Sequence, residues 1–288
     1  MTRLDVRRTA KLYIGGAFPR SESGRSMPVH DADGAVLANV SQASRKDLRE
    51  AVVAARAAQP RWASATAYNR GQILYRVAEI MEGRREQFAV EVAAAEGGDL
   101  DAARAVVDES VDRWVWFAGW SDKFTQVDGT VNPVAGPYFN LSVPEPTGVV
   151  GVVAPQSSSL LGLVDTVAPV IVAGNTVVAL ASEARPLPAV TLSEALAVSD
   201  VPGGVVNLLT GHRDELALVL AAHLDVNALD LVGMAGSDTT ALRVAAAENV
   251  KRVVPAPDEE PDFSREPTGP RRILAFCETK TVWHPKGH

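Results

Sequence analysis

The apolar positions fall into two regimes with a break near residue 147. Before the break their spacing is helical. Ser44-Arg45-Lys46-Asp47 has the form of a capping box, in which a hydroxyl caps a helix and an acid three residues later caps back. It predicts a helix through Leu48, Val52 and Ala55 that stops at Pro60, because proline has no amide proton and crowds the preceding turn. Ile73, Val77, Ile80 and Met81, then Leu100, Ala103, Val107, Val111 and Trp114, recur at helical intervals. On this pattern the first 125 residues read as helical. Trp114, Trp116 and Trp120 then belong to core packing and not to a stacking platform.

After the break, short apolar runs alternate with helical segments. The runs are GVVGVVA (148–154), NTVVALA (175–181), VVNLLTG (205–211), ALDLVG (228–233) and KRVVP (251–255). Five strands joined by helical crossovers predict an α/β fold with a Rossmann-like parallel sheet covered on both faces. Ligands bind such sheets beyond the carboxyl ends of the strands, where Ser157 to Ser159 would lie. The alternation stops at PAPDEEPDFSREPTGP (255–270), with five prolines in sixteen residues. This stretch reads as a linker, and its acidic run Asp258, Glu259, Glu260 as a solvated face. The following RRILAFCETKTVW is β-prone through Ile273, Phe276, Thr279, Thr281, Val282 and Trp283.

Composition narrows the partners. With 288 residues, 47 % apolar and 22 % charged, the chain is large enough for a sizeable core. A net charge of −7 without a basic stripe argues against nucleic acid. The basic start lacks an apolar h-region, and no apolar run approaches the roughly 20 residues a membrane helix needs. A cytoplasmic protein without membrane association is expected. Cys277 is the only cysteine, so no internal disulfide or cysteine-based zinc site can form, and no metal site is expected. It is read as a structural thiol, since no base neighbours it in the sequence. The serines lack the Gly-x-Ser-x-Gly elbow and the partner histidine of a hydrolase.

In order along the chain, KLYIGGAF, DLREAVVAARAAQPRW, WFAGWSDK, EPTGVVGVVAP, APVIVAGNTVV, VPGGVVNLLTG, NVKRV and ILAFCETKTVW resemble segments of the aldehyde dehydrogenase superfamily. The resemblance implies a helical and Rossmann-like coenzyme domain, a thiol-bearing catalytic domain and a protruding oligomerisation sheet. It also implies NAD(P)-dependent oxidation of aldehydes, which needs a thiolate nucleophile, a general base and an oxyanion donor. At the matching positions this chain departs from each. The family's Trp-Asn-Phe-Pro, whose Asn serves the oxyanion, is replaced by Gln156, Ser157, Ser158 and Ser159. Its ribose-binding Lys-Pro-Ala-Glu is replaced by Leu180, Ala181, Ser182 and Glu183, so that Glu183 is a vestigial cofactor contact. Arg213 and Ala217 stand where glycines would admit the adenine. Leu231 to Met234 replace a Phe-Thr-Gly-Ser turn, and Ala256 stands for the general base.

The catalytic domain itself is absent, with the linker in its place. The expected organisation is an N-terminal helical part of a coenzyme-type domain (1–130) and an oligomerisation hairpin (131–146), paired near Pro137 to Val143. A Rossmann-like coenzyme-type domain (147–255), a Pro-rich linker (256–270) and a C-terminal oligomerisation strand and tail (271–288) complete it. The resemblance is to the incomplete second unit of two-unit aldehyde dehydrogenases. It implies a catalytically inactive subunit that forms a hetero-oligomer with a full-length aldehyde dehydrogenase paralogue and supports or regulates it. No catalytic residue and no bound cofactor are expected, although weak NAD(P) binding is compatible with Glu183. The alternative is an NAD(P)- or adenylate-binding sensor module. Removal of residues 271–288 is expected to leave a folded protein that no longer docks.

Overall fold

The computed structural model describes residues 8–31, 33–265 and 269–287. Small parts of the expected 1–130, 256–270 and 271–288 segments therefore lie outside the described residues. The chain does not open with helices. Strands β1 (Thr9–Ala10), β2 (Ser26–His30) and β3 (Val36–Ser41) form a three-stranded sheet in the order β1-β3-β2. This corrects the helical reading of the first 125 residues. The strands are short, and Pro28 and Asn39 interrupt their apolar alternation, so no clear two-residue period marks them.

Helices α1 (Arg45–Ser64), α2 (Ala67–Gly83), α3 (Arg85–Glu96), α4 (Leu100–Trp120) and α5 (Phe124–Asp128) follow. The capping box at Ser44 is formed: Ser44 Oγ accepts from the amides of Lys46 and Asp47, and Asp47 Oδ2 accepts from the Ser44 amide at 2.7 Å. Asp47 also accepts from Ser21 Oγ and the Glu22 amide, which ties the first sheet to this helix. Helix α1 runs through Pro60, contrary to the expected stop. The reason lies two residues on: Trp62 is buried and donates from Nε1 to the Ile171 carbonyl at 2.8 Å. That contact holds a last turn that proline alone would release. Trp114 is fully buried on α4, and Trp116 and Trp120 pack half-buried against the same core.

Next come β4 (Thr130–Val131), β5 (Tyr138–Pro146), β6 (Val149–Val153), α6 (Leu161–Val172), β7 (Thr176–Leu180) and α7 (Leu187–Ala197). Then follow β8 (Val206–Leu209), α8 (Arg213–Ala222), β9 (Ala228–Asp230), a 3-10 turn at Val232–Met234, α9 (Thr240–Ala247) and β10 (Arg252–Val254). Five strands form one parallel sheet in the order β10-β9-β6-β7-β8, as the alternation predicts. The two-residue period divides its side chains between two cores. Val150, Val152, Val177 and Ala179 pack under α2–α4, α6 and α7, while Val149, Val153, Val178 and Leu180 pack under α1, α8 and α9. Gly151 is held to its size by Leu220 of α8, which lies within 3 Å of where a Cβ would project. Strand order reverses between β6 and β9, which places the topological switch point outside their carboxyl ends.

The chain ends in α10 (Arg271–Leu274) and β11 (Cys277–Pro285). β11 pairs with β5 in an unbroken antiparallel register from Cys277↔Pro146 to Pro285↔Tyr138, and β4 lies on the far side of β5. The sequence expectation is corrected in one respect. Ile273 and Phe276 are not strand residues; both are fully buried in the main core. The Phe276 carbonyl accepts from the Thr147 amide and from Asn175 Nδ2, while Asn175 Oδ1 accepts from the Gly148 amide. This segment is therefore part of the body of the fold. Truncation after Pro270 removes a buried Ile and Phe, and Phe276→Ala alone should cost about 3–5 kcal/mol. We expect a chain ending at residue 277 to keep a cooperative thermal transition, and one ending at residue 270 to lose it, as read by circular dichroism.

Candidate functional site

The loop after β6 lies at the switch point, and each of its polar side chains is already engaged. Gln156 donates from Nε2 to the Ala154 carbonyl at 2.7 Å and accepts at Oε1 from the Glu183 amide at 2.9 Å. The amides of Gln156 and Ser157 both donate to the Glu260 carboxylate, and Ser157 Oγ donates to it as well. Ser159 gives its amide and its hydroxyl to Glu96 Oε1, each at 2.6 Å. Ser158 Oγ accepts the Gly162 amide at 2.9 Å and so caps the start of α6. Arg185 donates to the Ser157 carbonyl. Among the described residues no serine of this loop is hydrogen-bonded to a histidine.

Asp258 and Glu259 are exposed, as the solvated reading of the acidic run has it, but Glu260 departs from that reading. It reaches the loop because the segment after β10 folds back over the sheet end. Phe263 is buried against Leu161 and Val232. Arg113 of α4 donates to the carbonyls of Phe263 (2.9 Å) and Arg265 (3.2 Å) and pairs with Asp165 at 2.6 Å. A cavity of about 240 Å³ remains beneath this crossing, with Trp116, Phe117, Val232 and Phe263 among its walls. Nearby, the fully buried Asp230 at the end of β9 accepts from Arg272 at 2.6 Å and from the Val232 amide. Sequence reasoning missed Arg113, Asp165, Asp230 and Arg272. A signal existed for two of them, since Asp165 interrupts an apolar helix and Asp230 an apolar strand.

Glu183, the one expected cofactor contact, is turned inward to its own chain. Its carboxylate lies 2.7 Å from His212 Nδ1 and accepts the Arg213 amide at 2.9 Å, capping α8. Partial burial acts to raise its pKa, but the His212 hydrogen bond and the Arg213 amide outweigh it and hold the group below the usual carboxylate range. Arg213 extends to the Gly233 carbonyl at 2.9 Å, bridging the turns after β8 and β9. Gly233 in turn is so close to the Ala154 carbonyl that a Cβ there would overlap it. Leu180 is buried at the end of β7, Ala217 and Met234 are core residues, and Ala256 packs half-buried beside them.

Thr279, Thr281, Val282 and Trp283 are exposed on β11. They are far along the fold from the sheet end that holds Glu183. Tyr138 meets Trp283 edge-on at 5.9 Å, and Val131, Phe139 and Leu141 are exposed beside them.

A model of the aldehyde dehydrogenase family matches residues 18–255, which span the whole parallel sheet and α1 to α9. The chain belongs to that family. It is 34% identical over 257 residues to human cytosolic 10-formyltetrahydrofolate dehydrogenase, covering 86% of this chain and 28% of that protein. A putative aldehyde dehydrogenase from Burkholderia cenocepacia superposes with a TM-score of 0.81 at 30% identity, over 85% of this chain and 50% of that one. The aldehyde dehydrogenase of Bacillus cereus in its NAD+ complex gives a TM-score of 0.79 at 27% identity, with the same coverage. The chain thus spans half or less of the length of these relatives. Only residues 255–270 separate the end of β10 from α10, so no second domain lies between them. No helix among the described residues is long and apolar enough to cross a membrane.

Cys277 opens β11, buried, with its thiol on the Ile273 carbonyl at 3.4 Å. Burial pushes its pKa up to about 12, opposite to what a nucleophile needs. At pH 8 its thiolate fraction should fall about a thousandfold below that of an ordinary thiol. We expect no reaction with a disulfide reagent in the native protein and one fast equivalent after unfolding. A full equivalent titrated in the native state at pH 8 would contradict this geometry.

Proposed function

We propose that this chain is a non-catalytic member of the aldehyde dehydrogenase family that docks onto a full-length aldehyde dehydrogenase and supports or regulates it. The observation that carries the reading is strand β11. Its inner edge is paired residue by residue with β5, and its outer edge is unpartnered among the described residues. An edge strand flanked by Trp283 and Val282, with Phe139 and Leu141 exposed on the strand beside it, invites pairing with another chain. The chain has no second domain between β10 and α10 to receive such a strand from a copy of itself, so a symmetric homodimer of the family's usual kind cannot satisfy both edges. A full-length relative offers an acceptor, and the contact closes by main-chain strand addition.

Two features support the non-catalytic reading. Amides and hydroxyls at the carboxyl end of the sheet are tied to Glu96, Glu183 and Glu260, and the Cys277 thiol, at the opposite end beside Pro146, is buried with a raised pKa. Cytoplasmic residence belongs to the same proposal. We expect affinity capture from native cells to recover an aldehyde dehydrogenase with the intact protein, and to lose it when residues 278–288 are removed while the fold is kept. Recovery at unchanged stoichiometry with the shortened chain would sink the docking model.

Dinucleotide binding is proposed to be feeble. The Lys that would hold a ribose is Leu180, and Glu183 would have to leave His212 and the Arg213 amide. Loss of one charge-assisted contact is worth about ten- to hundredfold in affinity. Calorimetric titration should give a Kd no tighter than about 100 μM for NAD+ or NADP+. A Kd near about 1 μM that weakens in Glu183→Ala would instead favour the sensor reading.

A further inference from the structure

At the amino end of the parallel sheet, two loops are locked together around one histidine. His223 ends α8; its Nδ1 accepts the Asp225 amide at 3.2 Å and its carbonyl accepts the Val226 amide at 3.1 Å. Arg56 of α1 donates from Nη2 to the Asp225 carbonyl and to Asn227 Oδ1, each at 2.5 Å. Asn227 Oδ1 also accepts the Val149 amide at 3.0 Å, which fixes the start of β6. From the loop before β10, Asn249 Nδ2 donates to the Leu224 carbonyl at 3.0 Å, while Asn249 Oδ1 accepts from Lys251 Nζ. Arg252 then gives its amide to the Asn227 carbonyl at 3.1 Å and its guanidinium to Glu278 of β11 at 3.0 Å.

The charges around this ring are mostly of one sign. Lys251 is buried, bonded to an amide oxygen, and has no carboxylate at ion-pair distance among the described residues. Arg49 and Arg56 face the histidine from α1, and Arg45 lies beside Arg49 on the same cavity wall. Of the acids, Asp225 stands 3.9 Å from Arg56, and Asp214 and Glu215 belong to the α8 wall. Burial, and after it Lys251, Arg49 and Arg56, outweigh Asp225 and hold the His223 pKa below its usual value. An imidazolium carries a proton on both nitrogens, so Nδ1 can then accept no amide. It would also set a second uncompensated cation beside Lys251.

We propose that His223 is an acid-sensitive clasp, whose protonation frees the loops 223–227 and 249–252 from each other while the sheet behind them stays folded. The sign follows from the direction of the shift. The closed form holds the proton less readily than the open one, so the clasp is shut above about pH 6.5 and loosens as pH falls. The inference rests on the contacts of His223 and not on the docking of β11.

The test is amide hydrogen exchange of the full chain at about pH 7.5 and about pH 5.5, corrected for the intrinsic pH dependence of exchange. If the proton enters only the open form, whose histidine titrates near the ordinary 6.5, opening grows by up to about tenfold over this interval. The amides of Asp225, Val226 and Asn227 should gain several-fold, up to that limit, with β7 unchanged. His223→Asn puts a carboxamide oxygen in the place of Nδ1, where it accepts the same amide and takes no proton. Its corrected exchange should match the wild type at the higher pH and stay flat on acidification. Should that variant lose its native circular dichroism, NMR titration of the wild-type His223 ring decides, with a midpoint below about 6.5 expected. Equal corrected exchange of the wild type at the two pH values, or the same rise in a folded His223→Asn, would overturn the proposal. A rise shared by β7, or a ring midpoint at or above about 6.5, would overturn it too.

Discussion

Main-chain amides at the carboxyl end of a parallel sheet have no ladder partner and must find acceptors. In this chain three glutamates supply them. Glu96 takes Ser159, Glu183 takes the start of α8, and Glu260 takes Gln156 and Ser157. Polar groups at the switch point between β6 and β9 are therefore engaged within the chain. Arg213 adds a bridge across the switch point, and the Gly233 turn lies directly on the Ala154 carbonyl. The family's frame is kept in strand order, helix packing and loop position. Its polar groups have been reassigned to holding that frame together.

The second constraint is the attachment of the C-terminal segment. Asn175 joins the Gly148 amide to the Phe276 carbonyl, and Ile273 and Phe276 fill the main core. Arg272 reaches the buried carboxylate of Asp230. These contacts fix where β11 begins, and the nine-residue register with β5 fixes where it goes. An edge strand held so firmly on one side presents its other edge in a defined place, which is what recognition by strand addition requires.

Much of this was legible in the residues. The change from helical spacing to short β-branched runs located all five core strands within about three residues, because β6, β7, β8 and β9 are buried on both faces and need an unbroken apolar run. The β1–β3 sheet was hidden, since two of its strands carry Pro28 and Asn39 and the third has only two residues. Pro60 misled because local propensity ignores the tertiary hydrogen bond at Trp62. Ile273 and Phe276 read as strand residues on β propensity, which cannot tell an edge strand from a buried anchor. For the site, the losses at Leu180 and at 156–159 were visible as substitutions. The partners Glu96, Arg113 and Glu260 were not, because a charge's partner is set by tertiary folding and not by sequence spacing.

The central claim, that the outer edge of β11 is a docking edge for a full-length aldehyde dehydrogenase, is tested most directly by amide hydrogen exchange. The account predicts that Cys277–Pro285 exchanges rapidly at its outward-facing amides in the isolated protein and becomes protected on mixing with the native-source dehydrogenase, while β6 and β7 stay unchanged. Unaltered exchange of β11 in a mixture shown by light scattering to have associated would contradict it.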